Sequence, residues 1–265
     1  MSIPYGLRDV KITPYLDAAG KNLSSQKIDL PAAQTFSFSE VEEFQQLRGD
    51  DRVVASRGNG SSVEWGLGHG GISLEALVAI NGGEIVVGAG TRTYRKTANH
   101  TKPYFLVEGQ TLNDDGGDTH MVVYRCKATG NVEGEFADGA FFVTSASGTG
   151  MPVPSDASEN ADLLFDIVEN TAMTDIPTTS APRVTGVTPS AALAASSILI
   201  VGAGFTGVTG ATGVKVGATN ATSYVVHSDT QIVAVMPAGS PGSAPITVTH
   251  STRGASLAFP YTRGA

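Results

Sequence analysis

The sequence predicts a mainly β chain in two parts: a strand-rich body with a packed α-helix, then a smaller β segment. Three observations carry that prediction. Apolar and polar residues alternate in short runs broken by Gly, Asn and Asp. One stretch, Ser73 to Gly83, has helical periodicity with stop and start signals at its ends. The composition also changes abruptly after Asp175-Ile176-Pro177-Thr178-Thr179-Ser180-Ala181-Pro182, a short polar run with two prolines that reads as a semi-extended linker.

Taken in order, the body has strand runs at residues 8–15, 35–39, 52–56, 62–68, 91–96, 103–111, 119–128 and 140–146. Ser39-Glu40-Val41-Glu42 has capping-box spacing, and Val41, Phe44 and Leu47 share a face of the helix it would open. A strand over residues 42–47 stays open as the alternative. The next helix is better marked. Ser73 can cap it, Leu74, Leu77 and Val78 repeat at helical spacing, and Asn81-Gly82-Gly83 ends it. Asn59-Gly60 and Asn113-Asp114-Asp115-Gly116-Gly117 are the expected hairpin turns. The division expected is a body over 1–176, a linker over 177–181 and a second domain over 182–265 that folds alone.

Charge separates the two parts. Residues through Ala181 hold 24 acidic against 13 basic side chains, a net −11, whereas the remainder holds 4 basic against 1 acidic, a net +3. An acidic body argues against tight binding to a phosphate backbone, which needs clustered Lys and Arg. The lone Cys126 excludes a disulfide framework and is expected to be a buried structural thiol on a strand. The opening residues carry no basic region or apolar stretch, so no export signal is visible and a soluble intracellular product is expected.

No motif supplies chemistry. Gly202-Ala203-Gly204-Phe205-Thr206-Gly207 fits a dinucleotide fingerprint, but Val208-Thr209-Gly210-Ala211-Thr212-Gly213 cannot open the helix that fingerprint requires. It reads as a glycine-rich β turn. Asp114, Asp115 and Asp118 lack calcium-loop spacing, and His69, His100, His120, His227 and His250 lack metal-ligand spacing. Ser147 lacks the preceding glycine of a nucleophile elbow. The expectation is therefore no enzyme, no cofactor and no metal.

Two resemblances rest on particular residues. The segment from Pro182 resembles the immunoglobulin-like IPT/TIG domain. Its marks are Pro182-Arg183-Val184-Thr185-Gly186-Val187-Thr188-Pro189, Ile198 to Phe205 with its Gly-x-Gly-Phe, Val214-Lys215-Val216-Gly217, the run Val225 to Pro237, Ile246-Thr247-Val248-Thr249 and Phe259-Pro260-Tyr261. That implies a β-sandwich and explains the glycine motif as a turn at a strand end. The body resembles the major tail tube protein of long-tailed, siphovirus-like phages. It does so through Gly6-Leu7-Arg8-Asp9-Val10-Lys11-Ile12, Asp29-Leu30-Pro31, Leu47-Arg48-Gly49-Asp50-Asp51, Val63-Glu64-Trp65 leading into Gly70-Gly71-Ile72-Ser73-Leu74-Glu75-Ala76, and the hairpin around Asp114 to Asp118.

The resemblance implies a tail-tube β-barrel or sandwich whose copies form hexameric rings stacked into a tube, with the immunoglobulin-like domain outward. The implied partners are further copies of the chain, tape-measure, tail terminator and tail tip proteins, and phage DNA passing without specific binding. The implied location is the virion, assembled in the host cytoplasm, with weak host-surface contact by the second domain and no membrane insertion. Glu64, Glu133 and Glu135 are the candidate acidic residues of the lumen; solvation of an outer face is their alternative role. The polar stretches 17–27 and 97–102 are expected to order only against a neighbouring ring. The second function class is a carbohydrate- or cell-surface-binding protein that uses the C-terminal sandwich. A hydrolase would need an acid–base pair that the sequence does not offer.

Overall fold

The computed structural model describes residues 2–264 apart from 31, 72, 136, 139–141 and 158, and of Glu43 and Asn59 it describes the backbone. Two compact units emerge. One comprises Met1–Lys21 with Ile28–Thr178, the other Asn22–Lys27 with Thr179–Ala265.

The first unit contains β1 (Pro4–Pro14), β2 (Ile28–Asp29), β3 (Ala33–Gly49), β4 (Arg52–Gly70), α1 (Leu74–Asn81), β5 (Glu84–Gly88), β6 (Thr91–Arg95), β7 (Phe105–Asn113), β8 (Asp118–Lys127), β9 (Val132–Gly134), β10 (Val143–Gly150) and β11 (Phe165–Asn170). The main sheet runs β2-β1-β7-β8-β10-β4-β3, with β11 also on β8 and β9 also on β10, while β5 and β6 form their own hairpin. The pairings in this unit are antiparallel, as short polar turns between alternating runs dictate. Val10 and Ile12 of β1, Val107 of β7 and Val123 of β8 bury against Val63, Trp65 and Leu67 of β4. Trp65 meets Phe105 edge to face, with centroids 5.4 Å apart, a geometry worth about 1 kcal/mol beyond the area it buries.

Helix α1 starts where expected. Ser73 accepts a hydrogen bond from the Ala76 amide, and Gly82 closes the end. Its buried face, however, is Ala76, Ala79 and Ile80, not the larger Leu74, Leu77 and Val78. The small alanines turn inward and leave the leucines half-buried at the rim.

Three expectations need correction. No helix opens at Ser39; residues 33–49 are one strand paired along its length with β4. A helix would have needed a core for its apolar stripe, and the chain instead reverses at Asp50 and Asp51, both with positive φ, in a two-residue turn that matches strand twist. Asn59-Gly60 is not a hairpin turn. The pairs Glu42↔Ser61 and Phe44↔Gly58 set two residues of β4 against one of β3, a β-bulge made possible by Gly60 at φ +102. The strand predicted over 140–146 is seen from Val143 onward, and Ala140 and Phe141 lie outside the described residues.

The polar stretches expected to need a neighbouring ring have partners within the chain. Asp17 accepts from the Ala19 and Lys21 amides, and residues 22–27 belong to the second unit. His100 accepts from the Thr97 amide, and Lys102 donates to the Gly130 carbonyl.

The second unit is a β-sandwich. Its strands are β12 (Arg183–Thr188), β13 (Ser197–Ala203), β14 (Val214–Val216), β15 (Thr219–Asn220), β16 (Ser223–Ser228), β17 (Gln231–Val235), β18 (Gly242–Ser243), β19 (Ile246–His250), β20 (Gly254–Ala255) and β21 (Thr262–Arg263). One sheet orders β12-β13-β17-β16 and the other β15-β14-β19-β20, with β18 paired to β21. Ile198, Ile200 and Ile232 from the first sheet bury against Val214, Val216, Ile246 and Val248 from the second. Tyr261 ties the loops to this core: its hydroxyl donates to the Pro189 carbonyl and accepts from the Ala192 amide.

Candidate assembly surfaces

The register places two of the three candidate acidic residues together. Glu64 stands on β4 between the buried Val63 and Trp65, so its own side chain points to the opposite, exposed face. It lies opposite Ser39 of β3 and Thr149 of β10, while Glu133 of β9 lies opposite Ser145 of β10. Directly opposed residues share a face, and Ser145 and Thr149 share one by strand alternation. Glu64 and Glu133 therefore stand on the same exposed face. Two strand spacings and four residues of rise separate them by roughly 16 Å, too far for a glycosidase-type acid–base pair, which needs about 5–9.5 Å. Glu135 is exposed beyond the end of β9, where no pairing among the described residues ties it to that face.

Around Glu64 this face is paved with small groups. Thr35, Ser37 and Ser39 line up on β3, and Ser145, Ser147 and Thr149 on β10. Gly68 and Gly66 lie between them, and the Thr35 and Ser37 hydroxyls lean into the space a Cβ would take there.

The β3–β4 hairpin outruns its sheet. The last pairing of β4 with β10 is Val63↔Gly150, so the hairpin beyond it is a two-stranded ribbon. Phe44, Leu47 and Val54 are 59 %, 65 % and 61 % exposed on it. A ribbon with water on both faces is marginally stable alone, and these side chains add an uncovered apolar cost. Arg48, Arg52 and Arg57 are interspersed with Glu42, Asp50 and Asp51 along the same arm.

At its other end β3 roofs an apolar crevice of about 250 Å³ lined by Leu7, Phe36, Phe38, Met121 and Ile167 among others. Phe36 lies over Gly109, where a Cβ would sit 2.4 Å from the ring. Both β3 and β11 pair on one side only among the described residues. These free edges and the apolar crevice are unfilled binding capacity rather than chemistry.

Sequence reasoning missed a buried polar cluster on the β7–β8 hairpin. Asp118 is fully buried and accepts from Gln110 Nε2 at 2.5 Å, Asn170 Nδ2 at 2.8 Å, the Thr174 amide at 2.8 Å and His120 Nε2 at 3.2 Å. His120 Nδ1 faces Glu108 Oε1 at 3.2 Å. Burial alone would raise the Asp118 pKa, but the donors from Thr174, Gln110, Asn170 and His120 outweigh it and hold the carboxyl well below the usual range. The signal was present: Glu108-x-Gln110 and Asp118-x-His120 put polar pairs on one face of otherwise apolar strands. The cluster pins residues 170–174 to the sheet and offers no open position for a substrate.

The remaining candidates are structural in setting. Cys126 is buried, its thiol pushed up by desolvation and donating to the Val123 carbonyl. Asp114 caps the Ile3 amide and Asp115 the Gly117 amide. Among the described residues no three His, Cys, Asp or Glu side chains converge as a metal-binding group. No described helix is long and apolar enough to cross a membrane.

Residues 182–262 match the model of the IPT/TIG domain, so the second unit carries a domain of that family. No curated protein matches the chain. Among solved structures, the chain is similar to the gamma-CGTase of alkalophilic Bacillus clarkii, at 16% identity and a TM-score of 0.30 over 62% of this chain and 24% of that one. It is also similar to SGBP-B of the Bacteroides ovatus mixed-linkage glucan utilization locus, in complex with a mixed-linkage heptasaccharide, at 15% identity and a TM-score of 0.26. That match covers 67% of this chain and 57% of the other. The chain thus spans less than two thirds of either structure.

Proposed function

We propose that the chain is a polymerising structural subunit of the tail-tube type, with the IPT/TIG domain as an appended module. The single observation that carries this reading is the β3–β4 arm, whose exposed Phe44, Leu47 and Val54 would be buried if another copy covered them. A heterologous contact that closes builds a ring, and a second, non-closing contact stacks such rings into a filament. The hydroxyl- and glycine-paved face bearing Glu64 and Glu133 suits a conduit wall, since carboxylates repel a phosphate backbone and small side chains offer it little to catch on. Hexameric rings, passage of DNA, and tape-measure, terminator and tip partners follow from the resemblance of the body to tail tube proteins. No catalytic role enters this reading.

Negative-stain microscopy of the purified chain tests it. Tubes or rings with a central channel are expected, and the double variant Leu47→Asp, Val54→Asp should stay monomeric. A monodisperse monomer at every concentration and salt condition tried, with no change in the variant, refutes the reading. A second reading, surface-ligand binding, is favoured by one feature: an open groove of about 740 Å³ on the IPT/TIG unit, lined by Thr209, Asn220, Ser223 and Tyr224 among others. Its lining is uncharged, which suits a neutral polyhydroxyl ligand, and saturable retention on immobilised polysaccharide that Asn220→Ala removes would favour it.

A further inference from the structure

The glycine motif that resembles a dinucleotide fingerprint has another use in the fold. Gly204, at φ +79, leaves a gap that Ser25 fills; a Cβ there would lie 2.7 Å from the Ser25 Cβ. Ser25 is fully buried although it sits in a short polar stretch remote in sequence from the rest of its unit. Its carbonyl accepts from the Ser180 amide at 2.8 Å, Gln26 forms a β-bridge with Thr179, and Arg183 Nη1 donates to the Ser24 carbonyl at 2.9 Å. The Gly204 loop is itself held rigid. Arg253 Nη2 donates to the Gly204 and Thr206 carbonyls, and the Asp229 carboxylate accepts from the amides of the same two residues.

We propose that Thr179, Ser180, Arg183 and Gly204 form a seat for an extended small-residue peptide on the IPT/TIG unit, and that Asn22–Lys27 is its occupant, a strap the unit needs for full order. The recognition is β-augmentation in miniature. Backbone bonds at Thr179 and Ser180 supply affinity, and the side-chain-free Gly204 supplies selectivity for a small residue at position 25. The seat is part of the unit although the family match begins only at residue 182. The inference stands apart from the assembly reading and holds for a monomer as well as a tube.

Limited trypsinolysis of the full chain, read by mass at Lys21 and Lys27, tests it. Ser25→Leu overfills the seat and should raise the cleavage rate there about tenfold, because the strap then opens without global unfolding. Ser25→Ala should leave the rate unchanged or lower it, because the Ser25 hydroxyl is buried without a partner and its removal costs nothing. Hydrogen exchange over Ile246–His250 reports whether the sandwich core stays folded. If Ser25→Leu strips that protection, Arg183→Met decides instead: it removes the donor to Ser24 and should raise cleavage severalfold with the core protected. Wild-type cleavage rates in both Ser25→Leu and Arg183→Met overturn the proposal, as does acceleration by Ser25→Ala equal to that by Ser25→Leu.

Discussion

Exchanging Asp118 for Asn swaps one oxygen for an amide nitrogen in the most constrained polar cluster of the first unit. Three donors, from Gln110, His120 and Thr174, converge on Oδ2, and one, from Asn170, reaches Oδ1. An amide that keeps its oxygen toward the three must turn its NH2 against the Asn170 NH2. One buried bond becomes a clash, and three charge-assisted bonds become neutral. At about 1–3 kcal/mol for each buried donor left unsatisfied, and with the charge assistance lost elsewhere, the cost is about 3 kcal/mol. With a urea slope of about 2 kcal/mol/M for a unit of this size, the midpoint should fall by about 1.5 M. Trp65 is the single tryptophan and sits in the core of this unit, so its fluorescence reports this transition alone. The acid limb supplies a second check. Because the folded carboxyl is held below its ordinary value, its contribution is full above about pH 4 and drains as pH falls toward about 2. The wild-type midpoint should therefore drop more steeply over that window than the midpoint of Asp118→Asn. A variant midpoint within about 0.3 M of wild type, or parallel acid limbs, would refute the reasoning.

Two further substitutions probe packing. Gly109→Ala drives a Cβ into the Phe36 ring, and the same fluorescence assay should show a loss of about 1–3 kcal/mol, the usual cost of overpacking. Tyr261→Phe orphans the Ala192 amide and the Pro189 carbonyl, and exchange protection over Ile246–His250 should weaken by about 1–2 kcal/mol while the Trp65 transition stays put.

How much of this was legible in the sequence depended on whether neighbours in sequence were also neighbours in space. Ser73, Gly82 and the hairpin at Asp114 to Gly117 announce themselves because caps and tight turns are local. The strand over 33–49 did not, because Ser39-Glu40-Val41-Glu42 satisfies helix grammar and only the distant partner strand overrides it. The bulge at Gly60 looks like a turn until its cross-strand register is known. Glu64 and Glu133 are legible as carboxylates, but their common face depends on β10 lying between them. The burial of Asp118 is not visible in the sequence, since Asn170 and Thr174 close over it from more than 50 positions away. The strap at Ser25 is hidden for the same reason, its partners Ser180 and Gly204 lying far along the chain.

The hydroxyl-and-glycine face of β3, β4 and β10 has a mechanical consequence. Its relief is shallow, with Ser39, Ser62, Gly66 and Thr149 as the nearest positions along and across from Glu64. A polyelectrolyte moving across such a surface would meet low barriers between successive positions, since friction at this scale comes from side chains that must be displaced. The two carboxylates would repel a like-charged strand passing over it. Lysines in place of Glu64 and Glu133 would attract such a strand instead of repelling it.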